Sequence, residues 1–188
     1  MRLYAAIVPP EDIRAEVASV VDAVAPNTAE LDRVVAEDLL IPVTHFGNVT
    51  QRDFAQMLQL LNADAESWSQ PELRFSGSAA LEFEGDRSVW VRADGDLDGL
   101  FTIGRGVPVS VKRLGFLVDR RRFRPWLSVG TITDATTAPY LERLTAALDD
   151  YKSRSWTLQS LTIVRRVPGE SPSQVVDEVI EEVPLGGR

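Results

Sequence analysis

The chain of 188 residues contains no cysteine and a single histidine, His45. The missing thiols exclude disulfide scaffolds, thiolate metal sites and cysteine nucleophiles together, and they are neutral about redox compartment. With one imidazole, a catalytic centre that needs a paired acid and base near neutral pH lacks an ordinary carrier for one of them. Long apolar runs are also absent. No segment approaches the length of a membrane span, and the first apolar stretch, at residues 3–8, is too short for a signal-peptide core and is followed at once by Glu11 and Asp12. Lys112 and Lys152 are the only lysines, and neither stands in a Lys-x-Asp-Gly setting, which excludes ATP-dependent covalent nucleotidyl ligation. The scattered glycines form no phosphate-binding loop. These absences predict a soluble, cytoplasmic protein without cofactor, metal or membrane.

What is present is a chain that is 44% hydrophobic, enough to bury a substantial core in one large domain or two small fused lobes. The formal charge of -8 argues against broad electrostatic capture of nucleic acid, which requires a positive field. Residues 112–124 run against that composition: Lys112, Arg113, Arg120, Arg121, Arg122 and Arg124 face the single acid Asp119. Such a run either docks a phosphate or an RNA backbone or is a solvated loop.

The spacing predicts a strand over residues 2–8 and then a helix opened by Pro9-Pro10-Glu11-Asp12, with Ile13, Val17, Val20, Val21 and Val24 on one face. Pro26 and Asn27 should stop it. A strand at 39–46 ends at Gly47-Asn48, and Thr50, with Asp53 three residues on, caps a second helix carrying Phe54, Met57, Leu58 and Leu61. Strands at 73–83 and 88–93 flank Gly85-Asp86. Asp96 caps a third helix that Gly104-Arg105-Gly106-Val107-Pro108 should kink or break. A strand at 123–132, a helix at 139–150 and a closing β pair at 155–167 and 175–183 complete the chain. The order has a rough twofold repeat. It predicts an α+β fold, a single domain over 1–188 made of two interleaved, pseudo-symmetric lobes whose antiparallel sheets face a central cleft, with the helices outside.

Several stretches carry a resemblance along almost the whole chain. Met1-Arg2-Leu3-Tyr4-Ala5-Ala6-Ile7 with Pro10-Glu11, Glu37-Asp38-Leu39, Phe46-Gly47-Asn48-Val49, Ser88-Val89-Trp90-Val91 with Gly95-Asp96-Leu97, and above all Arg122-Phe123-Arg124-Pro125 are similar, in order and spacing, to the 2H phosphoesterase superfamily. The chain resembles in particular its 2′-5′ RNA ligase-like (LigT-like) RNA 2′,3′-cyclic phosphodiesterases. In active members two His-x-Thr motifs on neighbouring central strands aim two imidazoles at one phosphate: one takes a proton from the attacking oxygen, the other gives one to the departing ribose oxygen, and the threonines hold the phosphoryl oxygens. Carried over residue by residue, the first histidine falls on Leu40 and its threonine on Pro42. The second histidine falls on Trp126 and its threonine on Ser128. An arginine often found three residues further on falls on Thr131. Only Ser128 keeps related chemistry. Leu40 and Trp126 transfer no protons, and Pro42 has neither hydroxyl nor backbone N–H.

The resemblance therefore implies a catalytically degenerate member with no catalytic residues at the family positions, binding a nucleotide or RNA 2′,3′-phosphate end in a residual cleft through Ser128, Trp126, Thr131, Arg122 and Arg124. The alternatives are a protein-interaction module with a plugged cleft, or an active phosphodiesterase that uses His45 in a shifted register. Strand parity puts residues 40, 42 and 44 on one face and His45 on the other unless a bulge intervenes. Trp126 is either a stacking platform for a base or a filler of the space substrate once held, the filler being the reading favoured by the apolar Leu40. Asp177, Glu178, Glu181 and Glu182, which lack a histidine partner, read as a solvated edge rather than a metal site.

Overall fold

The computed structural model describes residues 1–24, 29–116, 122–169 and 175–186. Strands β1 (Arg2–Ile7), β2 (Leu31–Arg33), β3 (Ile41–Asn48), β4 (Glu72–Ala80), β5 (Ser88–Gly95), β6 (Trp126–Ile132), β7 (Trp156–Thr157), β8 (Ser160–Pro168) and β9 (Val175–Pro184) alternate with helices α1 (Glu11–Val24), α2 (Gln51–Ala65), α3 (Leu97–Lys112) and α4 (Ala138–Asp150). The strands form two antiparallel sheets, a four-stranded one in the order β3-β1-β8-β9 and a five-stranded one in the order β2-β6-β5-β4-β7. This is the α+β, two-sheet architecture expected from the sequence.

Each sheet is covered on one face only, and the sequence period explains which. On β1, Leu3, Ala5 and Ile7 enter the main core, whereas Tyr4 and Ala6 join Val164 and Leu40 in a separate small apolar cluster on the opposite face. Helices α2 and α3 pack on each other, with α3 against β3 and α2 against β9. Helices α1 and α4 pack on each other, with α4 against β4 and α1 against β6. The uncovered faces meet where β3 approaches β6.

The helix starts behave as their sequences require. Thr50 accepts from the Asp53 N–H and Asp96 from the Gly99 N–H, each satisfying a donor that the first turn leaves without a partner. The expected break in α3 does not occur. Gly104, Gly106 and Pro108 all lie inside one helix. The two glycines are there for close approach: a Cβ on Gly104 would sit 2.2 Å from the Phe123 ring and one on Gly106 2.6 Å from Trp68. Packing against those aromatics outweighs the intrinsic cost of glycine and proline.

Two further corrections concern strands. The run at 155–167 divides, β7 joining the five-stranded sheet through β4 and only β8 pairing with β9. The strand expected to reach residue 83 ends at Ala80, which leaves Phe83 in the β4–β5 loop. The expected helix stop at Pro26-Asn27 lies outside the described residues, as do Asp119, Arg120 and Arg121 of the basic run.

Candidate functional site

Two cavities of about 420 and about 480 Å³ occupy the groove between the uncovered sheet faces, and Pro42, His45 and Trp90 line both. The outer cavity is walled by Phe83, Trp90, Phe123 and Trp126 with Arg122 and Arg124. The inner one is bounded by Tyr4, Arg33, Asp38, Leu40, Ser128, Arg166 and Asp177. Leu40, Pro42, Trp126 and Ser128, expected to face one another, all line this groove. Cavities of this size stay open beside Trp126, which walls the outer one. Thr131 lies on β6 opposite Asp32 and Ser88 and lines neither cavity.

His45 reaches the groove through backbone irregularity. On β3 the register against β1 steps from Ala5↔Thr44 to Ala6↔Pro42, so Val43 is an extra residue. That bulge inverts the alternation beyond it, and Pro42 and His45 share the groove face while Phe46 enters the core and Val43 both joins the core and edges the outer cavity. The plain parity count is thereby overturned by the one exception it allowed. The His45 ring lies 5.1 Å from that of Tyr4, its cross-strand partner.

The inner cavity is strongly wired. Asp177 forms a two-point ion pair with Arg166, at 3.0 and 3.1 Å, and accepts the Tyr4 hydroxyl at 2.6 Å; the Arg166 guanidinium also lies 5.1 Å from the centre of the Tyr4 ring. Burial pushes the Asp177 carboxyl up. The hydrogen bonds from Arg166 and Tyr4, with the charges of Arg166 and His45, outweigh it and hold the group below the usual carboxylate range. Burial first, and then the bond to Asp177, hold the Tyr4 phenol above its ordinary value. Asp177 is thus a groove residue, not the solvated edge the sequence indicated. Glu178 does pair at the surface, with Arg165. Arg33 is committed to Asp22.

The outer cavity is organised by rings. Asp86 accepts from the Glu82 and Ser88 N–H groups and, at 3.0 Å, from the Trp90 indole, which ties the β4–β5 loop to the Trp90 side chain. The Trp90 and Trp126 rings lie 6.1 Å apart. Arg124 sits 4.0 Å from the centre of the Phe83 ring and 5.3 Å from that of Trp126, and Arg92, paired with Glu82, approaches Trp126 at 5.5 Å. Among the described residues, neither Arg122 nor Arg124 makes an ion pair with a carboxylate. Trp90, Phe83, Tyr4, Arg33, Arg166 and Asp177 belong to this groove although the sequence did not single them out for it. The tryptophan and the strand alternation of Trp90, Arg92 and Asp94 were the available signal for the first.

Chemically the groove offers one imidazole, the hydroxyls of Thr44 and Ser128, stacking surfaces and two guanidiniums, Arg122 and Arg124, without a carboxylate partner among the described residues. Among the described residues no group of three or more histidines, cysteines or acids could hold a metal ion. No described helix is long and apolar enough to cross a membrane.

No protein-family model and no curated protein matches the chain. Solved structures do. TT0787 of Thermus thermophilus superposes with a TM-score of 0.76 at 19% identity, covering 100% of this chain and 99% of that one. LigT of E. coli complexed with 3′-AMP gives 0.72 at 18%, covering 98% and 97%. A structure described as a phosphoesterase gives 0.71 at 18%, with the same coverage. The chain therefore has the LigT-like fold over essentially its full length.

Proposed function

We propose that this protein binds a nucleotide or the 2′,3′-phosphate end of an RNA in its groove, without efficient turnover, as a LigT-like protein whose proton-transfer pair has been replaced. One observation carries the reading: the groove is open, walled by Trp90 and Trp126, and edged by Arg122 and Arg124, which have no carboxylate partner among the described residues. Indole faces accept any base, and unpaired guanidiniums suit phosphoryl oxygens. LigT of E. coli, which has this fold, has been solved with 3′-AMP, NADP+ and ATP. A plugged groove, on which a pure protein-interaction role was premised, does not accord with cavities of about 420 and about 480 Å³.

The loss of turnover follows from magnitude. One acid or base contributes roughly 10²–10⁴-fold, so leucine and tryptophan at both family positions remove about 10⁴–10⁸-fold, and less where the pair acts as a unit. Calorimetric titration with 3′-AMP and 2′,3′-cyclic AMP should give saturable, salt-sensitive heat while chromatography of the mixture shows unchanged ligand. No heat with either at millimolar concentration removes the reading.

A second reading has its own observation, the bulge that turns His45 into the groove. In it the protein is a slow cyclic phosphodiesterase with a single imidazole. Hydrolysis of 2′,3′-cyclic AMP that vanishes in His45→Ala would establish it, and equal hydrolysis in the variant would remove it.

A further inference from the structure

We propose that His45 is a proton-dependent phosphate contact: its imidazolium donates to a phosphoryl oxygen of the bound ligand, so that affinity for a phosphodiester anion is set by the protonation of this one side chain. The inference rests on the nucleotide-binding reading above and adds the residue and the regulation.

Placement is the first argument. His45 lines both cavities and so stands where they join, between the ring-walled outer cavity and the inner one that holds the Ser128 hydroxyl. A ligand whose base lies against the tryptophans and whose phosphate points inward passes this position. An imidazolium presents two N–H donors, whereas neutral imidazole presents one donor and one acceptor. The acceptor nitrogen opposes a phosphoryl oxygen.

The second argument is the charge that the described residues place around it. Tyr4 on β1 packs on the ring, Asp177 on β9 and Arg166 on β8 are bound to each other beside it, and Arg33 and Asp38 line the same inner cavity. Arg122 and Arg124 face it from the outer side, with Trp90, Trp126 and Ser128 contributing no titratable group. The carboxylates favour the imidazolium and the guanidiniums disfavour it. Asp177 is held below the usual carboxylate range and the Tyr4 phenol above its ordinary value, so neither changes charge near neutral pH.

The third argument returns to scarcity. With one histidine and no cysteine, His45 is the one side chain of a type that ordinarily changes charge near neutral pH. A proton-linked affinity therefore points to one residue.

The test uses 2′,3′-cyclic AMP, a phosphodiester with no second ionisation, so its charge is constant over the range. Titration calorimetry should show binding about tenfold tighter near pH 5.5 than near pH 8, as one charge-assisted hydrogen bond is lost. His45→Gln should bind weakly and His45→Lys tightly, both with flat profiles, and circular dichroism checks that each is folded. Binding by the parent protein that is equal at both pH values overturns this inference and leaves the nucleotide-binding reading standing. A slope that survives in His45→Gln likewise overturns it. Absence of binding at every pH overturns both.

Discussion

Strands β3 and β6 face each other across the groove and are built alike. Pro42 and His45 of one, with Leu40 just before it, correspond, at a constant separation along the chain, to Ser128, Thr131 and Trp126 of the other, and each strand carries a bulge at the same point. Ala6↔Pro42 and Ala5↔Thr44 are matched by Trp90↔Ser128 and Val89↔Gly130. The outcomes differ. β3 is an edge strand, and past its bulge it delivers an imidazole to the groove; β6 is flanked by β2 as well as β5, its Thr131 pairs opposite Asp32, and Arg33 on β2 reaches the inner cavity. One backbone device thus presents a titratable group on one side and, through Trp126 with Arg124, a stacking and cationic surface on the other.

The largest expected effect would erase this asymmetry. Leu40→His, Pro42→Thr and Trp126→His together restore two imidazoles and two hydroxyls with Ser128. Hydrolysis of 2′,3′-cyclic AMP should rise by at least about 10⁴-fold in the triple variant, and by far less in Leu40→His alone, because the two groups act as a unit. Steady-state assays of both variants decide it. A folded triple variant with no gain would mean that the backbone, not the replaced side chains, forbids the chemistry.

Next in size is a test of which strand holds the base. Trp126→Ala should weaken nucleotide binding by about 1–3 kcal/mol, the worth of one stacked base, whereas Leu40→Ala on the opposing strand should leave it nearly unchanged. Equal losses would show that both strands grip the base.

How far the sequence could take this comparison depended on the residue. The long elements and helix caps were legible because Ile13, Val17 and Val21 or Thr50 and Asp53 obey periods and cap rules that need no tertiary knowledge. β2 and β7, of three and two residues, are too short to show a period. The continuity of α3 was hidden because Gly104 and Gly106 read locally as breakers, and only Phe123 and Trp68 explain them. The groove-lining positions Leu40, Pro42, Trp126 and Ser128 were legible through resemblance. The face of His45 was not, since one inserted residue flips a strand without leaving a compositional mark. Asp177 looked solvent-bound because its partners, Arg166 and Tyr4, come from neighbouring strands whose register the sequence does not announce.

The lead-in to β6 supplies the third prediction. Phe123 sits on Gly104 of α3 and lies between Arg122 and Arg124, so the helix surface positions the basic segment. Gly104→Ala should destabilise the fold by about 1–3 kcal/mol through overpacking and weaken nucleotide binding as well, measured by urea unfolding and titration. Lost stability with unaltered affinity would uncouple the segment from the helix. Among the described residues no equivalent glycine supports the lead-in to β3, where the Arg14 guanidinium instead donates to the Glu37 carbonyl at 2.7 Å.

The smallest effect concerns the β3 side and separates structure from binding there. Tyr4→Phe keeps the ring against His45 and removes only the hydroxyl bound to Asp177, which still holds Arg166. Stability at neutral pH should fall by about 1 kcal/mol. The Asp177 carboxyl is held below its ordinary range in the folded chain, so its contribution is present above the unfolded value near 3.9 and is lost as pH falls through the lower folded value. The Tyr4 phenol is held above its ordinary value, so its contribution is fully present below about pH 10 and fades only beyond that. The difference between the parent protein and Tyr4→Phe in urea midpoint should therefore be level from about pH 5 to about pH 9 and shrink as the solution is acidified below about pH 4. A difference that instead changes across the histidine range would mean that the hydroxyl acts through His45, and that the proton-sensitive side of the groove extends to β1.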